Sequence, residues 1–324
     1  MIREIIVSVT AIFFLGFYSC LDLESEIRDV INPDIFPTNE KDAETLVTAA
    51  AYGQFRAYWG AMFTSGEDGY HVVGDMSTDV LTCKWEDDKW IPLNNVNFTP
   101  STTACTKLYS NHINSIGKMT MTLKRIADVP MNEDTRDRMK AELHCARGWI
   151  AFLLFDFYGA LQIAELEHLE NPLEDKILPR KTTEETILFI EENLRIAANS
   201  EHLAYNHSGG DVNYGRFTRG LAHMALLKLY MNLKHWDKAE AEARELMKPE
   251  YGYGLMDEYK DIFTLENEGN KEIIWAATCS RAVYANTQMW LAQVLPSVYP
   301  TKNPNITKWD GYRMPWAFYN TFDK

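Results

Sequence analysis

The 324-residue chain is 46% apolar and 12% aromatic, enough to bury a substantial core in one large domain or two ordinary ones, which argues against disorder. Its formal charge of −14 argues against nucleic acid or an anionic lipid surface as the main partner, and leans weakly toward an uncharged ligand.

The first element is an apolar run, Ile5 to Tyr18, behind one basic residue, Arg3. At roughly 14 residues it is too short to span a bilayer but suits a secretory signal. It stops at Phe17-Tyr18-Ser19-Cys20, and a small residue directly before a cysteine is the mark of a lipoprotein signal. Residues 1–19 are therefore expected to be removed and Cys20 to be acylated, which would tie the chain to a membrane leaflet. The other cysteines, Cys83, Cys105, Cys145 and Cys279, are isolated and show no CxxC pair, so they are expected to be buried and free.

An acidic tether, Leu21 to Glu26, leads past Pro33 and Pro37 to Asn39, which can cap a helix from Glu40 with Ala43, Leu46, Val47 and Ala50 on one face. Between Gly60 and Ser101 the helical period disappears, predicting a long ordered loop region. Helical spacing returns at Tyr109, Ile113, Ile116, Met119, Leu123 and Ile126. A second helix follows through Met139, Leu143, Ala146, Ile150, Leu153 and Phe157, with Gly159 as its stop. Thr182 and Glu185 have capping-box spacing ahead of Ile187, Ile190, Leu194 and Ala197. A last helix pair is expected from about Arg216 to Leu233 and from His235 to Lys248. In it Leu226, Tyr230, Trp236 and Ala239 partly match the large-and-small packing positions of a tetratricopeptide hairpin, although Leu227 stands where a small residue is usual. Ile273 to Ala277 reads as a short strand or buried extended segment, followed by an aromatic, proline-punctuated tail.

The order of these features resembles the SusD/RagB family of surface lipoproteins. The resemblance is carried by Cys20-Leu21-Asp22-Leu23-Glu24, by Thr38 to Glu44 with Ala50-Ala51-Tyr52, and by Ala141-Glu142 through Arg147 and Ala151 to Phe157-Tyr158-Gly159. It continues in Leu178-Pro179-Arg180, Gly215 to Gly220, Trp236-Asp237-Lys238-Ala239, Tyr253-Gly254-Leu255 and Glu272 to Trp275. Residues 20–324 are thus read as one SusD-like domain, mainly α. The resemblance implies tetratricopeptide-like helical hairpins at about 105–250, packed against irregular loop-rich regions at about 60–104 and 251–324. It also implies outer-membrane display facing the cell exterior, capture of an oligosaccharide or other nutrient, and a lid-like seat on a SusC-like, TonB-dependent transporter. The chain stops at Lys324, before full-length members end, so the C-terminal part of the family fold is expected to be missing and the apolar faces that meet it exposed.

A glycan presents hydroxyls and flat C–H faces, so loop aromatics flanked by polar side chains are the residues to weigh. Trp85 and Trp90, in a polar stretch without a helical stripe, are candidate ligand contacts, and Tyr284, Trp290 and Trp309 form a second group. Trp149, Trp236 and Trp275 sit in periodic or apolar elements and are expected to be structural, while Trp59 and Trp316 are unassigned. Each loop tryptophan has an ordinary alternative, that of filling a gap beneath its loop. No GxSxG, HExxH or P-loop is present, and His202 and His207 are five positions apart, a poor helical metal pair. Asp75 and Asp79 lack a complete calcium-loop set. No catalytic residue, metal or other cofactor is expected. A tetratricopeptide scaffold holding a protein or peptide partner is the competing reading, and a lipid-anchored hydrolase a third.

Overall fold

The computed structural model describes residues 36–171, 177–279 and 289–322, so Cys20 and Tyr284 lie outside the described residues. In chain order its helices are α1 (Glu40–Ala50), α2 (Tyr70–Met76), α3 (Ile91–Asn94), α4 (Thr103–Arg125), α5 (Glu133–Tyr158) and α6 (Leu166–Glu170). They continue as α7 (Thr183–Ala198), α8 (Arg219–Asn232), α9 (Trp236–Leu246), α10 (Trp290–Val294) and α11 (Trp316–Tyr319). Two short strands, β1 (Thr82–Cys83) and β2 (Tyr312–Arg313), pair antiparallel with Thr82 opposite Arg313 and Cys83 opposite Tyr312. The fold is therefore mainly α, with tetratricopeptide-like hairpins.

Local chemistry fixes the helix ends. The Asn39 side chain accepts from the Asp42 amide and places Glu40 and Asp42 in the first turn, where carboxylates suit the helix dipole. Asn132 does the same for α5 by accepting from the Thr135 amide, and Gly159, at φ 67°, stops it. Thr182 and Glu185 close a reciprocal capping box on α7. The α8 helix begins at Arg219, three residues later than expected, because the Thr218 side chain caps the Leu221 amide while Arg216 turns to two carboxylates, Glu44 and Glu142.

The core is built around α5, which packs against α7 on one side and α4 on the other. That position explains why residues around nearly its whole circumference are buried, including Met139, Leu143, Ala146, Ile150 and Leu154. A Cβ on Gly148 would fall 2.7 Å from Leu194 Cγ, so the approach of α5 to α7 needs a bare backbone there. From α7 the stack continues through α8 to α9. Leu226, Tyr230 and Ala239 are buried at the α8–α9 hairpin as their spacing predicts. Trp236, expected to be structural, is instead 57% exposed, since the buried positions of α9 are Ala239, Glu242 and Leu246.

The stretch between Gly60 and Ser101 holds α2, β1 and α3 as well as loops. Seven-residue α2 buries Val72, Val73 and Met76, a stripe too short to register as a period, and the partner of β1 comes from the far end of the chain. Residues Ile273 to Ala277 are partly buried, as expected, but form no strand. All four described cysteines are free, with Cys83 and Cys145 buried, Cys105 half-buried and Cys279, against expectation, exposed. No described helix is long and apolar enough to cross a membrane.

Candidate functional site

The two loop-rich regions meet beside the helical stack. The junction starts with the turn Thr64 to Gly69, where the Thr64 hydroxyl accepts from the Gly66 amide at 3.1 Å and the Gly69 amide closes onto the Gly66 carbonyl at 3.0 Å. A Cβ on Gly66 would lie 2.7 Å from Cζ3 of Trp59, so the indole rests directly on this glycine. The Trp309 ring then stacks on Trp59, with centroids 6.2 Å apart and planes at 24°. Trp59 is 42% exposed and Trp309 half-buried, leaving an aromatic step open to solvent.

Beneath this step the other loop aromatics form a fastening. Trp85 leans on Gly311, where an added Cβ would meet its ring at 2.5 Å. Trp90 meets Tyr312 edge-on at 5.5 Å and Trp85 at 5.6 Å, and Trp290 meets Tyr312 at 6.0 Å. The Tyr312 hydroxyl donates to the Ser65 carbonyl, which also accepts from Gln293 Nε2 at 3.0 Å, and the Trp290 indole N–H donates to the Phe63 carbonyl at 3.2 Å. Trp90 and Tyr312 are almost wholly buried, at 4% and 3% exposure. Of the sequence candidates, the fold thus gathers Trp85, Trp90 and Trp290 around Tyr312 and places Trp309 apart, on the open step. The burial of Trp90 leaves no ring face for a ligand, while Trp85 is half-buried in contact with Gly311, Trp90 and Tyr312.

Charged side chains frame the step. Glu67, in the turn under Trp59, lies between Lys107 at 3.3 Å and Lys89 at 3.7 Å. Burial works to raise its pKa, but hydrogen bonds from its own backbone and from Lys107 outweigh that and hold it low. Asp310, next to Trp309, lies 2.5 Å from Lys84 Nζ and 3.2 Å from Arg313 Nη2, and its pKa is lowered, first by the Lys84 hydrogen bond. Burial raises the pKa of Asp68, whose Oδ2 accepts from Asn111 Nδ2 at 3.3 Å. Such a surface offers flat apolar faces for C–H groups, with carboxylate and ammonium groups of the kind that pair with hydroxyls.

A second hollow, about 890 Å³, lies between α5, α8 and the segment from Glu272, lined by Phe63, Tyr70, Trp149, Asp156, Trp275 and Trp290. Trp149 and Trp275 meet edge-on at 5.1 Å there, and both also pack on the core, consistent with their structural assignment. Asp156 accepts from the Tyr70 hydroxyl at 3.0 Å and from Asn232 Nδ2 at 2.7 Å. Among the described residues no group of three or more His, Cys, Asp or Glu is placed to hold a metal ion.

Trp59 has no role assignable from sequence alone. The available signal was an aromatic residue directly before Gly60, with the glycine-bearing stretch Ser65-Gly66-Glu67-Asp68-Gly69 close behind. Its pairing with Trp309 is a long-range contact that no local pattern reveals.

No family model matches the sequence, and no curated protein matches it. Solved structures do. Surface glycan-binding protein A from Bacteroides uniformis aligns with a TM-score of 0.71 and 17% identity over 88% of this chain and 62% of its own. A SusD-like protein from Bacteroides fragilis aligns at 0.63 and 22%, over 82% of this chain and 49% of its own. Surface glycan-binding protein A from Bacteroides thetaiotaomicron, in complex with laminarihexaose, aligns at 0.68 and 15%, over 89% and 62%. The chain therefore has the SusD-like fold, and it spans between about half and two-thirds of the length of these structures.

Proposed function

We propose that this protein is a non-catalytic carbohydrate-binding protein of the cell surface, with the Trp59–Trp309 step as the contact for a sugar ring. The observation that carries this reading is a solvent-open, nearly parallel indole pair, 6.2 Å between centroids, with the ion-paired Glu67 and Asp310 next in sequence to Gly66, on which Trp59 rests, and to Trp309. Rings held this way need no reorganisation to receive the C–H face of a sugar, and the framing groups can pair with its hydroxyls. The shared fold with proteins named for glycan binding supports the same class of ligand.

Placed at the outer membrane by an acyl anchor on Cys20, such a protein would hold an oligosaccharide near a SusC-like, TonB-dependent transporter and release it inward. This part of the proposal rests on the sequence at Phe17 to Cys20 and on the resemblance across the chain. Among the other candidates, Trp85 and Trp290 would act chiefly by fastening the loops, and Trp90 only so.

The test is affinity electrophoresis of the full chain, purified in mild detergent, through gels cast with laminarin and a panel of other polysaccharides. Retardation by at least one glycan that Trp59→Ala or Trp309→Ala relieves is expected. Uniform mobility of a folded sample in every gel would sink carbohydrate binding, and retardation unchanged in both variants would move the site away from the step.

A further inference from the structure

We propose that Asp310 is the positioning residue of the aromatic step, the group that turns Trp309 toward Trp59 and holds it there. The proposal rests on the reading of that pair as the sugar contact. Asp310 adopts a left-handed backbone at φ 51°, a conformation that Asp and Asn tolerate better than most side chains because their short polar groups bond locally. The reversal lets three successive amides reach the end of α10: Trp309 donates to Ala292 at 2.7 Å, Asp310 to Leu295 at 3.0 Å and Gly311 to Gln293 at 2.8 Å. With its backbone pinned on both sides of the bend, the Cα–Cβ bond of Trp309 has a fixed direction, and the ring it carries stacks on Trp59 at 6.2 Å.

The carboxylate adds a second restraint. Lys84 follows β1 and Arg313 belongs to β2, so the Lys84–Asp310–Arg313 cluster fastens the two loop regions together at the point where their amide ladder ends. The Lys84 amide also donates to the Gly311 carbonyl at 2.9 Å, placing Asp310 between a backbone tie and a side-chain tie. Asp310 is thus needed both for its backbone conformation and for the acceptor it offers Lys84. Both roles can be tested by substitution. Asparagine preserves the bend and can still accept from Lys84, whereas alanine preserves neither.

The experiment reads the stacked pair directly, as the tryptophan exciton band in far-ultraviolet circular dichroism. Subtracting the spectrum of Trp59→Phe isolates the contribution of this pair from the other indole contacts. In the full chain, Asp310→Ala is expected to lose that difference band and to weaken laminarin retardation about tenfold, as Trp309→Ala does. The double variant should be no weaker than either single one, and Asp310→Asn should keep both signals. An Asp310→Ala protein that retains the band overturns the proposal. Should that variant fail to fold, Lys84→Gln decides: a reduced band supports the assignment and an unchanged one overturns it. A lost band with retardation intact supports the positioning role and rejects Trp309 as the sugar contact. A parent chain that laminarin does not retard leaves the band alone to decide the role of Asp310.

Discussion

Trp90 and Trp309 lie in the same junction, yet one is 4% exposed with its edge against Tyr312 and the other stacks on a solvent-open ring. Their truncations should separate stability from binding. Trp90→Ala is expected to cost about 3–5 kcal/mol in a denaturant titration, because it empties a filled site. Trp309→Ala should leave the unfolding midpoint nearly unchanged while weakening glycan retardation about tenfold, the scale of one lost aromatic contact. Equal stability losses in both variants would contradict this division. A second residue-scale effect concerns His112, which is 1% exposed and whose pKa burial pushes down from 6.5 to about 4. Above pH 6.5 the ring is neutral whether the chain is folded or not, so it has no effect there. As pH falls from 6.5 toward 4, the unfolded chain takes up a proton that the folded one refuses, and stability drops. With each pKa unit worth about 1.4 kcal/mol, the loss is roughly 3 kcal/mol. His71 and His144 are shifted in the same direction by burial and add to the acid sensitivity. Chemical denaturation of His112→Leu across this range should show a flatter pH dependence than the parent, and parallel curves would rule the histidine out as a cause.

The α5–α7 contact is closely interlocked, since Gly148 faces Leu194 with no room for a methyl group. Gly148→Ala should therefore destabilise by about 1–3 kcal/mol despite improving helix propensity, because the new methyl overpacks against the Leu194 and Asn193 side chains. Gly74 offers the contrast: an added Cβ would find Phe157 Cζ at an ordinary 3.4 Å, so Gly74→Ala in α2 should be neutral or stabilising in the same melt. A reversed order would mean that α5 and α7 pack less closely than described. These elements also show where sequence reasoning reaches. The caps at Asn39, Thr182 and Gly159 were legible because each is a short-range bargain between a side chain or a glycine and the next turn. The long stripes of α4 and α5 were legible because burial repeats over many turns. By contrast α2 is too short to repeat, and β1 exists only because β2 arrives from the far end of the chain. The aromatic step fails to show for the same reason: the sequence marks Trp309 as a candidate without its partner, and the polar neighbourhood of Trp85 and Trp90 in sequence is not an open one in space.

At the scale of the whole molecule, one charge network ties together parts of the chain that are far apart in sequence. Glu142 on α5 is 1% exposed and takes Arg138 at 3.0 Å and Arg216 at 2.7 Å, while Glu44 on α1 takes the same two arginines at 2.6 and 2.8 Å. Two carboxylates and two guanidiniums therefore bind α1, α5 and the approach to α8 into one unit, and the Tyr52–Phe217 stack at 4.2 Å stands beside it. Removing one partner leaves a poorly solvated charge unmatched, so Glu142→Gln should cost about 3 kcal/mol, more than any solvent-exposed ion pair. Burial works to raise the pKa of Glu44, but the hydrogen bonds from Arg138 and Arg216 prevail and lower it below 4.5. A carboxyl lowered in the folded state stabilises above the unfolded value and loses that contribution as pH falls through the folded one. Glu44→Gln should consequently be less stable than the parent at neutral pH, with the gap closing below about pH 4.5. The gap itself is modest, because Glu44 keeps about a third of its side chain in solvent and is screened there. Since the network ties α1, α5 and the approach to α8 while the Trp59–Trp309 step belongs to the loop junction, a Glu142→Gln protein that is still folded should be retarded by glycan as the parent is. Loss of retardation without loss of helical signal would show that the helical stack and the loop junction are coupled through these charges, and that the platform depends on the helices for more than support.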